Sequence, residues 1–418
     1  MPLITHSPDL DNALVNPTTW ADELGLHRQF EWLRENDPVR WLTPDGFDPF
    51  WSITKYSDIK AIAGNKKLFI NDPRPTLGPK GLQEMVEAVT GRKHLIRSLV
   101  QMDDPDHMAY RRLTQGWFMG QQLRLLQARV DELAKQSIDR LLALGNTCDF
   151  VKDVAIWYPL RVIMEILGVP AEDEALMLKL TQELFGSTDP DNQRSFAQED
   201  FLQVVADFDD DFDRLTAARR RQPTDDVASL IANAKFGDDP LPRLEINGYY
   251  TIIATAGHDT TSASTAGGLL ALMNNPAQMH KLVNNLDSLM PTAIDEMIRW
   301  VSPVRHFMRT ATQDFPLRNK TISSGESVIL WYASGNRDQD IFEAPFDFRV
   351  DRQATKHLAF GVGGHVCLGQ HLARMEMSAL YRELLTRVTD IELAGEPQYI
   401  QSTFVGGLKS LPIRYRPK

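Results

Sequence analysis

Cys367 lies in the run Phe360-Gly-Val-Gly-Gly-His-Val-Cys-Leu-Gly369, a glycine-rich loop that leads directly into a helical pattern. Gly361, Gly363 and Gly364 permit turned or left-handed backbone and let the loop lie flat against something broad. Phe360 offers a wall beside the sulfur. The helix expected after Cys367 aims its positive end back at the sulfur and favours a thiolate. A cysteine presented in this way suits a haem iron engaged in O–O bond cleavage, because the thiolate pushes electron density onto the metal. A lone cysteine is more commonly an inert buried thiol; the surrounding loop argues against that here. The other cysteine is Cys148. A disulfide between the two is the rival reading, at the cost of sequestering the best thiolate in the chain. Two cysteines alone hold neither an iron–sulfur cluster nor a closed zinc site.

Two further stretches carry chemistry. Tyr249 to Met273 has the length of a long helix, about 35 Å, and is dominated by small residues, among them Ala254, Ala256, Gly257, Ser262, Ala263 and Gly267. A glycine such as Gly257 costs about 1 kcal/mol against alanine in a helix interior, so something there wants the backbone bare. Asp259 and Thr260 set an acid beside an alcohol. The bland alternative is a packed helix whose hydroxyls bond back to its own carbonyls. Glu296 and Arg299 are three apart, on one face of a helix expected to begin near Pro291; alone they would be a surface ion pair of little value.

The elements that must position these residues are mostly helical. The chain of 418 residues is 43% hydrophobic, enough for a large core, and without linker, repeat or low-complexity tract it reads as one domain with small β-sheets. Expected elements are a short helix at 31–36, a β pair at 39–42 and 50–53, a helix over 123–144, a charged helix over 207–221 and a short helix over 227–234 capped by Thr224. The β-rich part covers about 37–60. A net charge of −11 argues against nucleic acid. Met1 to Asn12 shows neither a basic nor an apolar leader region, and no apolar run approaches 18 residues, so a cytoplasmic protein without a membrane anchor is expected.

The spacing Phe-Gly-x-Gly-x-His-x-Cys-x-Gly, met by Phe360, Gly361, Gly363, His365, Cys367 and Gly369, resembles the haem-binding signature of the cytochrome P450 superfamily. At typical residue frequencies a chance match has odds below about 1 in 10⁵. The resemblance implies the P450 fold, haem b held by Cys367, and a monooxygenase. Ala256-Gly-His-Asp-Thr-Thr261 is similar to the family's oxygen-activation motif, in which the helix opens slightly. Thr260 would then hold oxygen and water while Asp259 relays protons, with Ala256 and Ile253 toward the haem and substrate. Glu296, Arg299 and Arg352 match the buried triad that braces the cysteine loop. His107, Arg111, Arg309 and His365 match the propionate partners as four cations. Asp104 stands where relatives usually carry proline.

The same resemblance places a lid at about 175–222, with Asp189, Pro190 and Asp191 in its connecting loop, and the oxygen-activation helix at about 246–275. It implies electrons from an iron–sulfur ferredoxin with an NAD(P)H-dependent reductase, docking near Arg112, Arg124 and Arg374. The expected pocket is apolar, with Leu95, Leu99, Val100, Val304, Phe307, Phe404 and Val405 joining Ile253 and Ala256; Arg97 and His306 are its only charged candidates. The nearest likeness is to soluble bacterial terpene hydroxylases, and terpenes, alkylbenzenes, polycyclic aromatics and steroids all stay open as substrates. A peroxide-driven peroxygenase and a non-catalytic haem-thiolate carrier or sensor are the competing functions.

Overall fold

The computed structural model describes residues 9–185, 189–191 and 198–418. Its centre is the helix Arg243–Asn274, longer at its start than the small-residue run suggests. Packed around it are the helices Trp157–Leu167, Glu174–Phe185, Leu286–Val301 and Gln370–Arg387. The glycines explain this closeness. A Cβ at Gly257 would lie 2.3 Å from Ile163 Cδ1, one at Gly267 2.6 Å from Val301 Cγ2, and one at Gly248 2.3 Å from the Arg97 carbonyl oxygen. What wants the backbone bare at Gly257 is therefore a neighbouring helix. The contiguous core along these helices runs from Leu99 to Tyr415, and burial on this scale supplies most of the driving force for folding.

The β pair forms as expected, antiparallel from Val39 opposite Ile53 to Leu42 opposite Phe50. The sheet is completed from far along the chain. Strand Ser327–Trp331 runs parallel to Phe50–Ile53 and antiparallel to His306–Ala311, which in turn pairs with Phe69–Ile70. Instead of more strand, residues 56–64 form a helix. Three-stranded and two-stranded sheets gather the C-terminal strands.

Several expected boundaries are corrected. The first long helix covers Glu23–Asn36 because Asp22 caps it, its side chain accepting from the Gly25 amide at 2.9 Å. The helix expected over 123–144 is Gly120–Ala143, and the charged helix extends back to Gln198. Asp226, not Thr224, caps Val227–Ala232; its carboxylate takes the Ser229 amide, and the Thr224 hydroxyl donates to the same carboxylate at 2.6 Å. Pro291 lies inside the helix Leu286–Val301 instead of opening it. The amide hydrogen it lacks would have met the carbonyl of Asp287, which is exposed. The region expected to form a lid contains Glu174–Phe185 and Gln198–Arg221; the rest of its expected connecting loop, apart from Asp189 to Asp191, lies outside the described residues. Among the described residues, no helix is long and apolar enough to cross a membrane.

Candidate haem-thiolate site

The cysteine loop is closed by its own backbone. The Gly361 amide donates to Leu358 O at 2.7 Å, Val366 to Gly363 O at 3.2 Å and Cys367 to Phe360 O at 2.8 Å. Gly361 and Gly363 adopt φ +69° and +81°, and a Cβ at Gly363 would meet the Ala63 carbonyl oxygen at 2.6 Å. Glycine is required there by both conformation and space. Both cysteines are free, so the disulfide reading falls. Helix Gln370–Arg387 starts three residues after Cys367. Burial pushes the Cys367 thiol up, opposed by the Gly369 amide and by the charges of Arg111 and Arg374. A metal cation bound at the sulfur would oppose that rise, because a cysteine ligand binds as the thiolate.

Glu296, Arg299 and Arg352 meet as a buried triad, overturning the surface-pair alternative. Arg299 is bidentate on Glu296 at 2.7 and 2.9 Å, and Arg352 Nε donates to the same carboxylate at 3.1 Å. Each arginine then spends its remaining donors on loop carbonyls: Arg299 on Asn336 and Pro345, Arg352 on Glu343, Ala344 and Asp347. Arg349 offers only its amide to Glu296. From Asn336 the brace reaches the cysteine loop directly, its Oδ1 accepting from the Leu358 amide at 2.6 Å.

His107, Arg111, Arg309 and His365 do converge. His107 and His365 stack with ring centroids 3.8 Å apart, and Arg111 donates to Val366 O at 2.8 Å, next to Cys367. They are not four cations, however. Burial first, then the charges of His107, Arg309, Arg111 and Lys66, pushes His365 down to about 2. Burial and Arg111 lower His107 as well. Arg111 and Arg309 are thus the permanent cations, and burial works against charge on both imidazoles. Among the described residues neither Arg111 nor Arg309 forms an ion pair, and neither buried ring nitrogen of His107 has a hydrogen-bond partner, Asp104 Oδ1 standing 3.7 Å from its Nδ1. Uncompensated buried charge is expensive, so this cluster calls for an anionic group, and the two carboxylates of haem meet that demand. Asp104 does not supply it, being paired with Lys66. The cluster also includes Asn71, whose Nδ2 lies 2.9 Å from His365 Nε2 and donates to Val100 O at 3.0 Å. Sequence reading missed it, and nothing local marks an asparagine whose partner is 294 residues away.

On the long helix, Ala256, Gly257, Asp259 and Thr260 keep partial exposure within an otherwise buried stretch. The Thr260 hydroxyl donates to Ala256 O at 2.7 Å and Ser264 to Thr260 O at 2.8 Å. The helix is continuous here, contrary to the expected opening, and its hydroxyls do bond back to their own carbonyls. The bond fixes the Thr260 hydroxyl hydrogen and leaves the oxygen's lone pairs free to accept. Burial pushes the Asp259 carboxyl up, with the opposing charge of His258 the counterweight.

The apolar candidates come together in part. Val304 bridges Val405 in antiparallel fashion, and the Phe307 ring meets Phe404 edge-on at 5.6 Å. Phe307 also faces Tyr332 at 6.0 Å, and Tyr332 borders Gly361 of the cysteine loop. Leu99 and Ile253 are core residues, at 8% and 7% exposure, with Leu95 packed against the same core. Two charged candidates are removed. Arg97 is clamped between Glu245 and Asp106. His306 is pinned as a neutral ring, Nδ1–H donating to Thr403 O at 2.9 Å and Nε2 accepting from the Leu77 amide at 3.1 Å. Beside it, Arg305 stacks on Trp20, donates to Trp20 O and Ser402 O, and fills the space any Cβ at Gly406 would need. Arg374 pairs with Asp295 and covers the Phe360 ring, which leaves Arg112 and Arg124 as the exposed cations among the three.

A half-buried thiol on a braced loop, an anion-seeking cluster beside it and an acid–alcohol pair on a central helix define a haem-thiolate oxygenase. The family model for cytochrome P450 matches residues 83–389, and the chain belongs to the cytochrome P450 family and is a monooxygenase of it. It is 41% identical to cytochrome P450-terp of a Pseudomonas species over 412 residues, covering 96% of each chain. It is 30% identical to linalool 8-monooxygenase of Pseudomonas putida, covering 97% of this chain and 99% of that one. The crystal structure of CYP108D1 from Novosphingobium aromaticivorans superposes with a TM-score of 0.91 at 42% identity and full coverage of both chains.

Proposed function

We propose that this monooxygenase hydroxylates a C–H bond of a small-to-medium hydrophobic molecule, a terpenoid foremost, with alkylbenzenes, aromatic hydrocarbons and steroids as the wider class. The observation that carries the reading is the half-buried Cys367 with Arg111 beside it, in a cluster where neither Arg111 nor Arg309 has an ion-pair partner among the described residues. Cys367 would hold haem b through its sulfur, and Arg111, Arg309, His107 and His365 would receive the propionates. The haem supplies oxygen activation when bound, the thiolate favouring O–O cleavage. One oxygen atom enters the substrate and the other leaves as water, consuming two electrons and two protons.

The remaining work falls to side chains of this chain. Thr260 Oγ1 accepts and orients a proton donor at the reacting oxygen, and Asp259 passes protons to it. Val304, Phe307, Phe404, Val405, Leu95, Leu99, Val100, Ile253 and Ala256 would hold the substrate by shape, since no free charge remains among the pocket candidates. The names of the relatives favour a terpenoid. Electrons would come from a ferredoxin and its NAD(P)H-dependent reductase in the cytoplasm, docking where Arg112 and Arg124 are exposed.

Absorption spectroscopy of the haem-bound protein tests this. A strongly red-shifted ferrous–CO band is expected, replaced in Cys367→His by a band typical of histidine-ligated haem. Titration of the ferric form with terpenes, alkylbenzenes and steroids should give its largest high-spin shift with a terpene. An unchanged CO band in Cys367→His would overturn the ligand assignment, and a largest shift with a steroid or an alkylbenzene would overturn the terpenoid assignment within that class.

A further inference from the structure

His258 is buried one residue before Asp259, and the reaction outlined above makes no use of it. Its Nε2 lies 3.0 Å from the Ile156 carbonyl oxygen. A carbonyl can only accept, so Nε2 carries a hydrogen. Its Nδ1 faces two oxygens, Thr181 Oγ1 at 3.2 Å and Asp259 Oδ1 at 3.3 Å. The Thr181 hydroxyl also reaches Leu178 O at 2.9 Å, and with its hydrogen directed there the oxygen presents lone pairs to the ring. A bare Nδ1 between two acceptors would be a buried clash of lone pairs, which is costly away from water. A proton between Nδ1 and Asp259 Oδ1 removes the conflict. The other carboxylate oxygen, Asp259 Oδ2, is buried without a partner, as expected of an acid whose proton is to be passed on.

We propose that His258 and Asp259 hold one proton in common and that His258 is the positioning residue of proton delivery. The inference rests on the reading of Asp259 as the relay. In the step it describes, the proton on Nδ1 moves to Asp259 Oδ1, leaving a neutral imidazole and a carboxylic acid. The acid then releases that proton toward Thr260, and a solvent proton recharges the pair. No electron moves. Asp259 lines a cleft of about 300 Å³ together with Lys152, Gln182, Asp191 and Lys409, and this gives the recharging proton its route. Lys152, Asp191 and Lys409 are the other charged groups that line it with Asp259.

Two measurements on the haem-bound protein test the pair. In ¹⁵N-histidine-labelled protein, the His258 resonances, identified by their loss in His258→Gln, should show both ring nitrogens protonated at neutral pH. In Asp259→Asn the Nδ1 resonance should lose its proton while Nε2 keeps its own. Resonances insensitive to Asp259→Asn would overturn the proposal. In turnover, His258→Gln keeps a donor for Ile156 but no transferable proton. Product formed per O₂ should fall about tenfold, and its dependence on pH should flatten. Thr181→Val, which removes one acceptor, should shift that dependence without flattening it. Unchanged coupling and pH dependence in His258→Gln, with Asp259→Asn impaired, would overturn the role of His258 alone. Unchanged coupling in both would overturn the relay itself.

Discussion

At the scale of single residues, Thr260 and Arg299 lead to opposite kinds of failure. Thr260→Ala removes a hydroxyl whose hydrogen is fixed on Ala256 O and leaves the fold intact. Oxygen and NAD(P)H should still be consumed, while product per O₂ falls about tenfold or more and peroxide appears; fully coupled turnover would refute the assigned role. Arg299→Ala leaves Glu296 buried with one arginine fewer. Stability should drop by about 3–5 kcal/mol, measured by denaturant unfolding, with haem retention falling in parallel. Cys367 was legible because a fixed local spacing carries it, whereas the burial of Glu296 and Arg299 and their union with Arg352 came only from the family resemblance. Asn71, and the lowered pKa of His107 and His365, were not legible. Both depend on burial and on neighbours distant in sequence, which no local pattern encodes.

At the scale of elements, Gly257 separates two explanations of the small-residue helix. Were the position open, Gly257→Ala would stabilise the helix by about 1 kcal/mol. With Ile163 Cδ1 2.3 Å from the new Cβ, the substitution should instead cost about 1–3 kcal/mol. Ile163→Ala in the same chain should recover part of that loss, a non-additivity measurable by thermal unfolding of the four variants. Helical periodicity placed the helix Gly120–Ala143 within a few residues and the ends of the others closely, while the starts of Glu23–Asn36, Gln198–Arg221 and Arg243–Asn274 were set too late. Boundaries failed where a cap competed, as Asp226 did with Thr224, or where packing carried a helix past proline, as at Pro291. Most partners of the N-terminal β pair could not be read at all, because pairing with Ser327–Trp331 closes over nearly three hundred residues.

At the scale of the whole molecule, acid sensitivity follows from imidazoles buried neutral. His306 is held between Thr403 and Leu77, and burial, opposed by its bond to Thr403 and aided by Arg305, pushes it down to about 4. Unfolded histidine has a pKa of about 6.5. The unfolded chain therefore takes up a proton that the folded chain refuses, so this contribution is fully present above about pH 6.5 and is lost as pH falls toward 4. The slope is about 1.4 kcal/mol per pH unit from this group alone. Denaturation midpoints measured between pH 7 and 4.5 should fall along that window, and His306→Gln should flatten the curve; an identical slope in the variant would refute the contribution.

The same arrangement bears on how such an enzyme acquires a new diet. Arg305 runs through the space reserved at Gly406, and His306 is tied on both nitrogens. The backbone on either side of Val304, Phe307, Phe404 and Val405 is thus riveted by residues that do not touch the proposed substrate. Exchange of those four side chains alters the contour of the chamber and leaves its frame in place. Divergence and directed evolution both have a small palette that can be repainted freely, set in a mount that tolerates no revision.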